Sequence, residues 1–357
     1  PPWGRPGGDL RHREAARTFS SNILLISPKV GKFAHVTAWG GFRLVYELTL
    51  DKMRKLCILA VLLPQFTLAQ VFTSVTIGKV HGSEPGNVRM AGLSPDGRYA
   101  LVTTMGNGGL ERVSLDNGER VRVTDEPGAG FQPVMSDDGQ LVMHCCDIRG
   151  DDHLLRTAVE VRDVEAGTVQ RVTEPVRELR AFRLVGSQAE VDAGGQTLRR
   201  RVSARQCVAA SRPTVTCDDL RLQLTRDGRT VTLAPNGDDE DTHYIWASVS
   251  PDGTRILYHV SGEGTYVCGL EGEDVQFVAY DCLAPQWYDD NTIVGMVTRD
   301  SELSIVSSAI VAYTLDGARQ QLTPESDVLL YPYCSARAGR IVCARGNGEM
   351  VMLSVAK

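Results

Sequence analysis

Leu93-Ser94-Pro95-Asp96-Gly97-Arg98, followed by Tyr99-Ala100-Leu101-Val102-Thr103, is the stretch on which the fold turns. The phrase returns as Met135-Ser136-Asp137-Asp138-Gly139-Gln140 before Leu141-Val142-Met143, and as Val249-Ser250-Pro251-Asp252-Gly253-Thr254 before Ile256-Leu257-Tyr258. Asp-Gly between two apolar runs is the turn of a β-hairpin, because glycine adopts the positive φ that such a turn needs. A phrase that recurs every few tens of residues marks a repeat architecture.

Around each copy the sequence divides into four strand-like pieces. The first unit reads 88–93, 98–104, 109–115 and 119–124, and the second 131–135, 140–146, 157–164 and 168–173. Later units read 245–249, 255–260, 264–270 and 274–280, then 285–288, 292–298, 305–314 and 318–323, then 330–334, 340–344 and 349–355. Residues 180–233 count as one longer, irregular unit ending in a hairpin at Asp227-Gly228, which makes six; a seventh would be hidden if that stretch holds two degenerate units. No stretch of a dozen residues after position 70 carries a helical period. Six units of four antiparallel strands predict an all-β, six-bladed β-propeller, which buries sheet faces between neighbouring blades. The last unit has only three strands, and Val71–Lys79, which alternates Val71, Thr73, Val75 and Ile77 against Phe72, Ser74 and Thr76, is available to complete it.

These residues carry a resemblance. The Ser-Pro-Asp-Gly turn, the closing Arg-Val-Thr (122–124, 171–173) or Gln-Leu-Thr (321–323), and a proline opening the next inner strand (Pro133, Pro285, Pro332) resemble the WD40-like, TolB-type (PD40) propeller repeat over residues 70–357. That family spans periplasmic binding proteins and the propellers of prolyl-oligopeptidase-type peptidases, so the resemblance implies the fold and an exported compartment, and leaves the activity open.

The N-terminal region reads differently. The chain begins at Pro1, and residues 1–52 are expected to be a disordered, non-native or untranslated upstream segment. From Met53, a basic Arg54-Lys55, an apolar Leu56–Leu63 and a small-residue site at Thr67-Leu68-Ala69 lay out a secretory signal peptide. The natural start is therefore expected at Met53, with one propeller domain over 70–357 in the periplasm or secreted. Removing residues 1–69 takes away 10 of 38 Lys and Arg but 4 of 44 Asp and Glu, which leaves 28 against 40, a formal charge of −12. An acidic surface repels a phosphate backbone, so nucleic acid is not an expected partner. A protein, peptide or glycan ligand fits, with a cationic or neutral group or a divalent cation favoured; no transmembrane segment remains after processing, and a monomer is expected.

A peptidase of the related kind needs a Gly-x-Ser-x-Gly nucleophile elbow, and none occurs; His-Glu-x-x-His, a Walker loop and a dinucleotide fingerprint are also missing. The expected role is therefore non-catalytic binding or scaffolding. The alternative is a metal-assisted hydrolase or lyase at the channel mouth. No cofactor is expected unless a divalent cation binds there. Eight cysteines remain after Cys57 is removed. Cys334 with Cys343, across one hairpin, and Cys207 with Cys217, in the irregular unit, are candidate disulfides; Cys334 and Cys343 also read as two small core residues.

In a propeller the Asp-Gly turns gather on one face, and the loops between second and third strands and between blades gather on the other. On that second face the sequence places Asp147, Arg149, Asp151, Asp152 and His153 from one blade. Asp238, Asp239, Glu240, Asp241 and His243 lie between blades, and Arg299, Asp300 and Glu302 come from a third place. Carboxylates and histidines converging there would hold a divalent cation or a cationic ligand group. Solvated acidic turns are the plainer reading. Tyr244, Trp246, Trp287, Tyr288, Tyr331 and Tyr333 sit at or beside inner strands, where aromatics pack between blades or line the channel.

Overall fold

The computed structural model describes residues 70–357 except 186–187, 203–212, 227–228 and 302–303, together with three upstream strands. The signal-peptide pattern at 53–69, Cys207, the Asp227-Gly228 turn and Glu302 lie outside the described residues. The chain divides into two compact units, Pro1–Thr67 and Leu68–Lys357. In the first, where the sequence pattern predicts no strands, β1 (Ile23–Ile26), β2 (Phe33–Trp39) and β3 (Phe42–Leu48) pair as an antiparallel meander. Trp39 is opposite Phe42 in the register of β2 with β3.

The described residues of the second unit form seven antiparallel sheets, the blades of a β-propeller. Blade 1 is β5 (Val88–Leu93), β6 (Tyr99–Thr104), β7 (Leu110–Ser114) and β8 (Arg120–Thr124). Blade 2 is β9 (Val134–Met135), β10 (Leu141–Arg149), β11 (Leu155–Asp163) and β12 (Thr168–Arg171). Blade 3 is β13 (Leu179–Val185), β14 (Gln188–Ala193) and β15 (Gln196–Arg201), and blade 4 is β16 (Thr214–Asp218), β17 (Arg221–Arg226) and β18 (Arg229–Leu233). Blade 5 is β19 (Tyr244–Val249), β20 (Arg255–Val260), β21 (Gly264–Gly269) and β22 (Gln276–Ala279). Blade 6 is β23 (Leu283–Trp287), β24 (Thr292–Asp300), β25 (Ile305–Thr314) and β26 (Arg319–Gln321). Blade 7 is β27 (Leu329–Ser335), β28 (Arg340–Arg345) and β29 (Met350–Ala356), and its outer strand is β4 (Ser74–Lys79) from the start of the domain.

The count is seven, not six. Among the described residues, 180–233 hold two blades of three strands each, and neither carries the Ser-x-Asp-Gly phrase that marks blades 1, 2 and 5. The β16–β17 turn is made by Asp219 and Leu220, both at positive φ (+47° and +58°), a left-handed pair built without glycine. That turn carries no glycine signature to read.

Where the phrase is present, its chemistry repeats. Ser94 Oγ donates to Asp96 Oδ1 at 2.7 Å and accepts the Tyr99 amide at 2.9 Å, while Gly97 takes φ +69°. Ser136 with Asp138 (2.6 Å) and Ser250 with Asp252 (2.5 Å) reproduce the turn, and Gly139 and Gly253 are again left-handed. Burial alone would raise the Asp96 carboxyl, but hydrogen bonds from Ser94 and from the Arg98 amide and guanidinium outweigh it and hold the pKa below the ordinary value.

Alternate residues of each middle strand face opposite neighbours, and among the described residues six of the junctions have an apolar core of their own. Leu101, Leu110 and Val142 fill the junction of blades 1 and 2, and Met143, Val159 and Val191 that of blades 2 and 3. Leu222, Ile256 and Tyr258 fill the junction of blades 4 and 5; Leu257, Ile293 and Val311 that of blades 5 and 6. Val294, Ile310, Ile341 and Leu353 close blades 6 and 7, and Val102, Val113 and Val342 close blades 7 and 1. Tyr244, Trp287 and Tyr288 are buried, whereas Trp246 and Tyr331 stay partly exposed at positive φ where β19 and β27 bulge. Phe72 meets Tyr288 edge-on at 4.8 Å and exchanges hydrogen bonds with the Gln320 side chain, which fastens the start of the domain to blade 6.

Candidate functional site

A cavity of about 600 Å³ opens on blades 1 to 3, on the face where inter-blade connections and second-to-third-strand hairpins gather. The cause is length. Strands β10 and β11 each run nine residues against six and five for β6 and β7 of blade 1, so their hairpin carries Asp147, Arg149, Leu155 and Thr157 to the rim. Opposite stand Asn107, from the β6–β7 loop, and Phe131, from the connection into blade 2; Arg177 comes from the connection into blade 3.

The wall is built from a few interlocking contacts. Asp147 accepts the Thr157 hydroxyl at 2.7 Å, and its amide donates to the Pro127 carbonyl at 2.8 Å. Gly128 lies against the Asp147 carboxylate at φ +79°, where a Cβ would collide with it. Arg89 donates to Asn107 Oδ1 and to the Gly130 carbonyl, holding Asn107 at φ +60°. Arg149 and Arg177 are exposed and make no ion pair among the described residues. Phe131 and Leu155 are 55% and 56% exposed beside them. Cys145 also borders the cavity, but burial pushes its thiol up to about 12, so it is no nucleophile at neutral pH. The lining therefore offers two free guanidiniums, one carboxylate already engaged by a hydroxyl, and an apolar shelf.

Only Asp147 and Arg149 of the residues singled out by sequence line this cavity. Asp151, Asp152 and His153 form the exposed tip of the β10–β11 hairpin, and Asp152 is committed there. It accepts from both Arg156 terminal nitrogens (2.9 and 2.6 Å) and from the Leu154 amide, which holds its carboxyl far below the usual range. Asp238, Asp239 and Asp241 are exposed in the connection between blades 4 and 5, and His243 is half-buried. Arg221 holds this loop by its backbone, donating to the carbonyls of Asp238 and Asp239 at 2.9 Å each. Arg299 pairs with Glu325 at 3.5 Å, and Asp300 is exposed. Each of the three acidic regions is accounted for separately by local contacts and solvent, and among the described residues no three His, Cys, Asp or Glu side chains come together to hold a metal ion.

Phe131, Asn107 and Arg177 carry no motif that singles them out in the sequence. Each lies on a different connection, so nothing in their spacing marks them as neighbours; the one available signal is an aromatic and two glycines in the Gly128-Ala-Gly-Phe131 connection. Cys334 and Cys343 are free thiols, and the register sets Cys334 opposite Ile341, which leaves Cys343 diagonal to it rather than across. Both belong to the core between blades 6 and 7. Cys217 is a free thiol, and its proposed partner is outside the described residues.

No protein-family model and no curated protein matches the chain. Solved structures do. U3-55K superposes at a TM-score of 0.50 with 9% identity, over 78% of this chain and 98% of that one. The chain is a β-propeller. TolB from Acinetobacter baumannii matches at 14% identity and a TM-score of 0.41 over 85% of this chain, which spans 63% of the TolB chain. An oligogalacturonate lyase in complex with manganese matches at 14% identity and 0.43, over 91% of this chain and 86% of that one. At these identities the likeness is one of fold, and among the described residues no helix is long and apolar enough to cross a membrane.

Proposed function

We propose that this protein is an exported, non-catalytic β-propeller that binds a carboxylate-bearing segment of a protein, peptide or glycan in the cavity of blades 1 to 3. The observation that carries the reading is the pair of guanidiniums, Arg149 and Arg177, that make no ion pair among the described residues, beside the exposed Phe131 and Leu155. Arginine presents a planar fork that matches a carboxylate, and an apolar shelf alongside is what a ring or aliphatic chain needs. Whole-chain charge points the other way, towards a cationic ligand. Net charge sets long-range attraction, however, whereas a site is set by the groups that face it. Export is supported by the pattern at Met53–Ala69, and a single propeller needs no second copy for this cavity. Among the described residues, the donors that the metal-assisted alternative would use are dispersed among separate loops.

Titration calorimetry of the full chain with oligoglutamate, oligolysine, an oligouronate and a neutral oligosaccharide tests this. The acidic compounds are expected to bind at micromolar to millimolar Kd, about −4 to −8 kcal/mol, with the basic and neutral ones at least ~10-fold weaker. Equal or tighter binding of oligolysine would return the site to the acidic loops.

A further inference from the structure

We infer that Trp246 and His259 in blade 5 form a small binding subsite for a phenolic ring, which lies against the indole and donates its O–H to His259 Nε2. The inference rests on blade 5 alone and does not depend on the cavity of blades 1 to 3. The register of β20 sets His259 between Ile245 of β19 and Thr265 of β21. Beyond Ile245 that register shifts, and Trp246 takes φ +54° in the resulting bulge. Trp246 is 37% exposed, and its indole stands 5.4 Å from the imidazole with 57° between the ring planes. Left-handed bulges recur at Ala284 and Tyr331, so the backbone by itself marks no site; among the described residues the stacked histidine is particular to Trp246.

Thr265 decides which imidazole nitrogen carries the proton. Its hydroxyl donates to the Cys282 carbonyl at 2.6 Å, and a carbonyl can only accept. The hydroxyl has a single hydrogen, so towards His259 Nδ1, at 2.9 Å, its oxygen accepts and Nδ1 is the N–H. Burial lowers the His259 pKa, so the ring is neutral at pH 7. Nε2 is left with a lone pair and no hydrogen-bond partner among the described residues. Ser248 Oγ is the one buried side-chain polar atom there without a partner, so Nε2 touches solvent although His259 as a whole is 5% exposed. His144 is the contrast within the same chain: Nδ1 donates to the Cys145 carbonyl, Nε2 accepts from Arg162, and the ring is fully buried.

The chemistry of the pair selects the ligand. One aromatic face suits a flat apolar ring, and one in-plane acceptor suits a single donor on the edge of that ring. A pyranose brings several hydroxyls, each of which loses water on binding and needs a partner of its own, whereas a phenol brings one. A tyrosine side chain of a polypeptide and a free phenol share this chemistry.

Carbethoxylation of the full chain by diethyl pyrocarbonate, mapped by mass spectrometry, tests the inference, because the reagent acylates an imidazole nitrogen that is unprotonated and accessible. His259 is expected to react, and His144 to stay unmodified while the chain is folded. p-Cresol should slow His259 by the factor 1 + [L]/Kd, about 10-fold at roughly ten times its Kd, and leave the exposed His81 and His153 unchanged. 4-Methylanisole, whose oxygen carries no hydrogen, should protect at least ~10-fold more weakly. N-acetyltyrosinamide that protects as p-cresol does assigns the ring to a polypeptide tyrosine, and protection by p-cresol alone assigns a free phenol. Trp246→Ala should remove the protection; should that variant not fold, the comparison of p-cresol with its methyl ether on the parent chain decides. An unreactive His259, no protection by p-cresol, or equal protection by the ether overturns the inference, as does a folded Trp246→Ala chain that p-cresol still protects.

Discussion

The junction of blades 6 and 7 and the side of blade 3 that faces away from blade 2 are built from opposite chemistry. The first is hydrocarbon: Val294, Ile310, Ile341 and Leu353 are fully buried, and Phe72 and Tyr288 add an aromatic contact. The second is an ion cluster within blade 3 of Arg183, Glu190 and Asp192, whose side chains keep 15%, 12% and 16% exposure. Hydrophobic junctions supply stability in proportion to area, whereas a near-buried ion cluster roughly cancels its own desolvation cost. A repeat fold therefore need not distribute its stability evenly.

The comparison can be broken most sharply by removing matter from the apolar side. Ile341→Ala should cost about 2–5 kcal/mol in denaturant unfolding, because a buried branched chain is lost and blade 7 cannot close over the gap. Arg183→Ala should cost less, about 1–3 kcal/mol, since it strands two carboxylates that keep some contact with water. Replacing Arg183, Glu190 and Asp192 together by apolar residues of similar volume should be neutral or stabilising; a loss as large as that of Ile341→Ala would show that the ion cluster contributes as much as the apolar core.

A smaller effect should follow from pH. His144 and His259 are buried, and burial lowers the pKa of each below 6.5. His144 holds the neutral form by donating from Nδ1 to the Cys145 carbonyl while Nε2 accepts from Arg162. The unfolded chain thus takes up protons below about pH 6.5 that the folded chain does not, so stability is full above that pH and declines as pH falls towards the folded values. Unfolding midpoints measured between pH 8 and 5 should drop on the acid side, and His144→Asn should flatten the drop.

Legibility of the sequence follows the same division. Ser94, Asp96 and Gly97 bond the same way at each copy of their phrase, so the hairpins, most strand boundaries and the propeller could be read directly. Blades 3 and 4 were merged because Asp219 and Leu220 make a left-handed turn without glycine. The cavity was half legible. Asp147 and Arg149 stood out by charge, but Asp152 is spent on Arg156, Asp238 and Asp239 are anchored only by their carbonyls, and Arg177 and Phe131 arrive from separate connections. Side-chain partnerships across loops carry no period, so charge alone overstated the acidic loops and understated the arginines.

The most direct test of the binding account is the affinity of the full chain for the tightest acidic ligand, compared with that of Arg149→Ala. Arg149 is exposed and unpaired among the described residues, so the substitution should leave the unfolding midpoint unchanged while weakening binding about 10-fold or more. An Arg149→Ala protein that binds the acidic ligand as tightly as the parent would contradict the account.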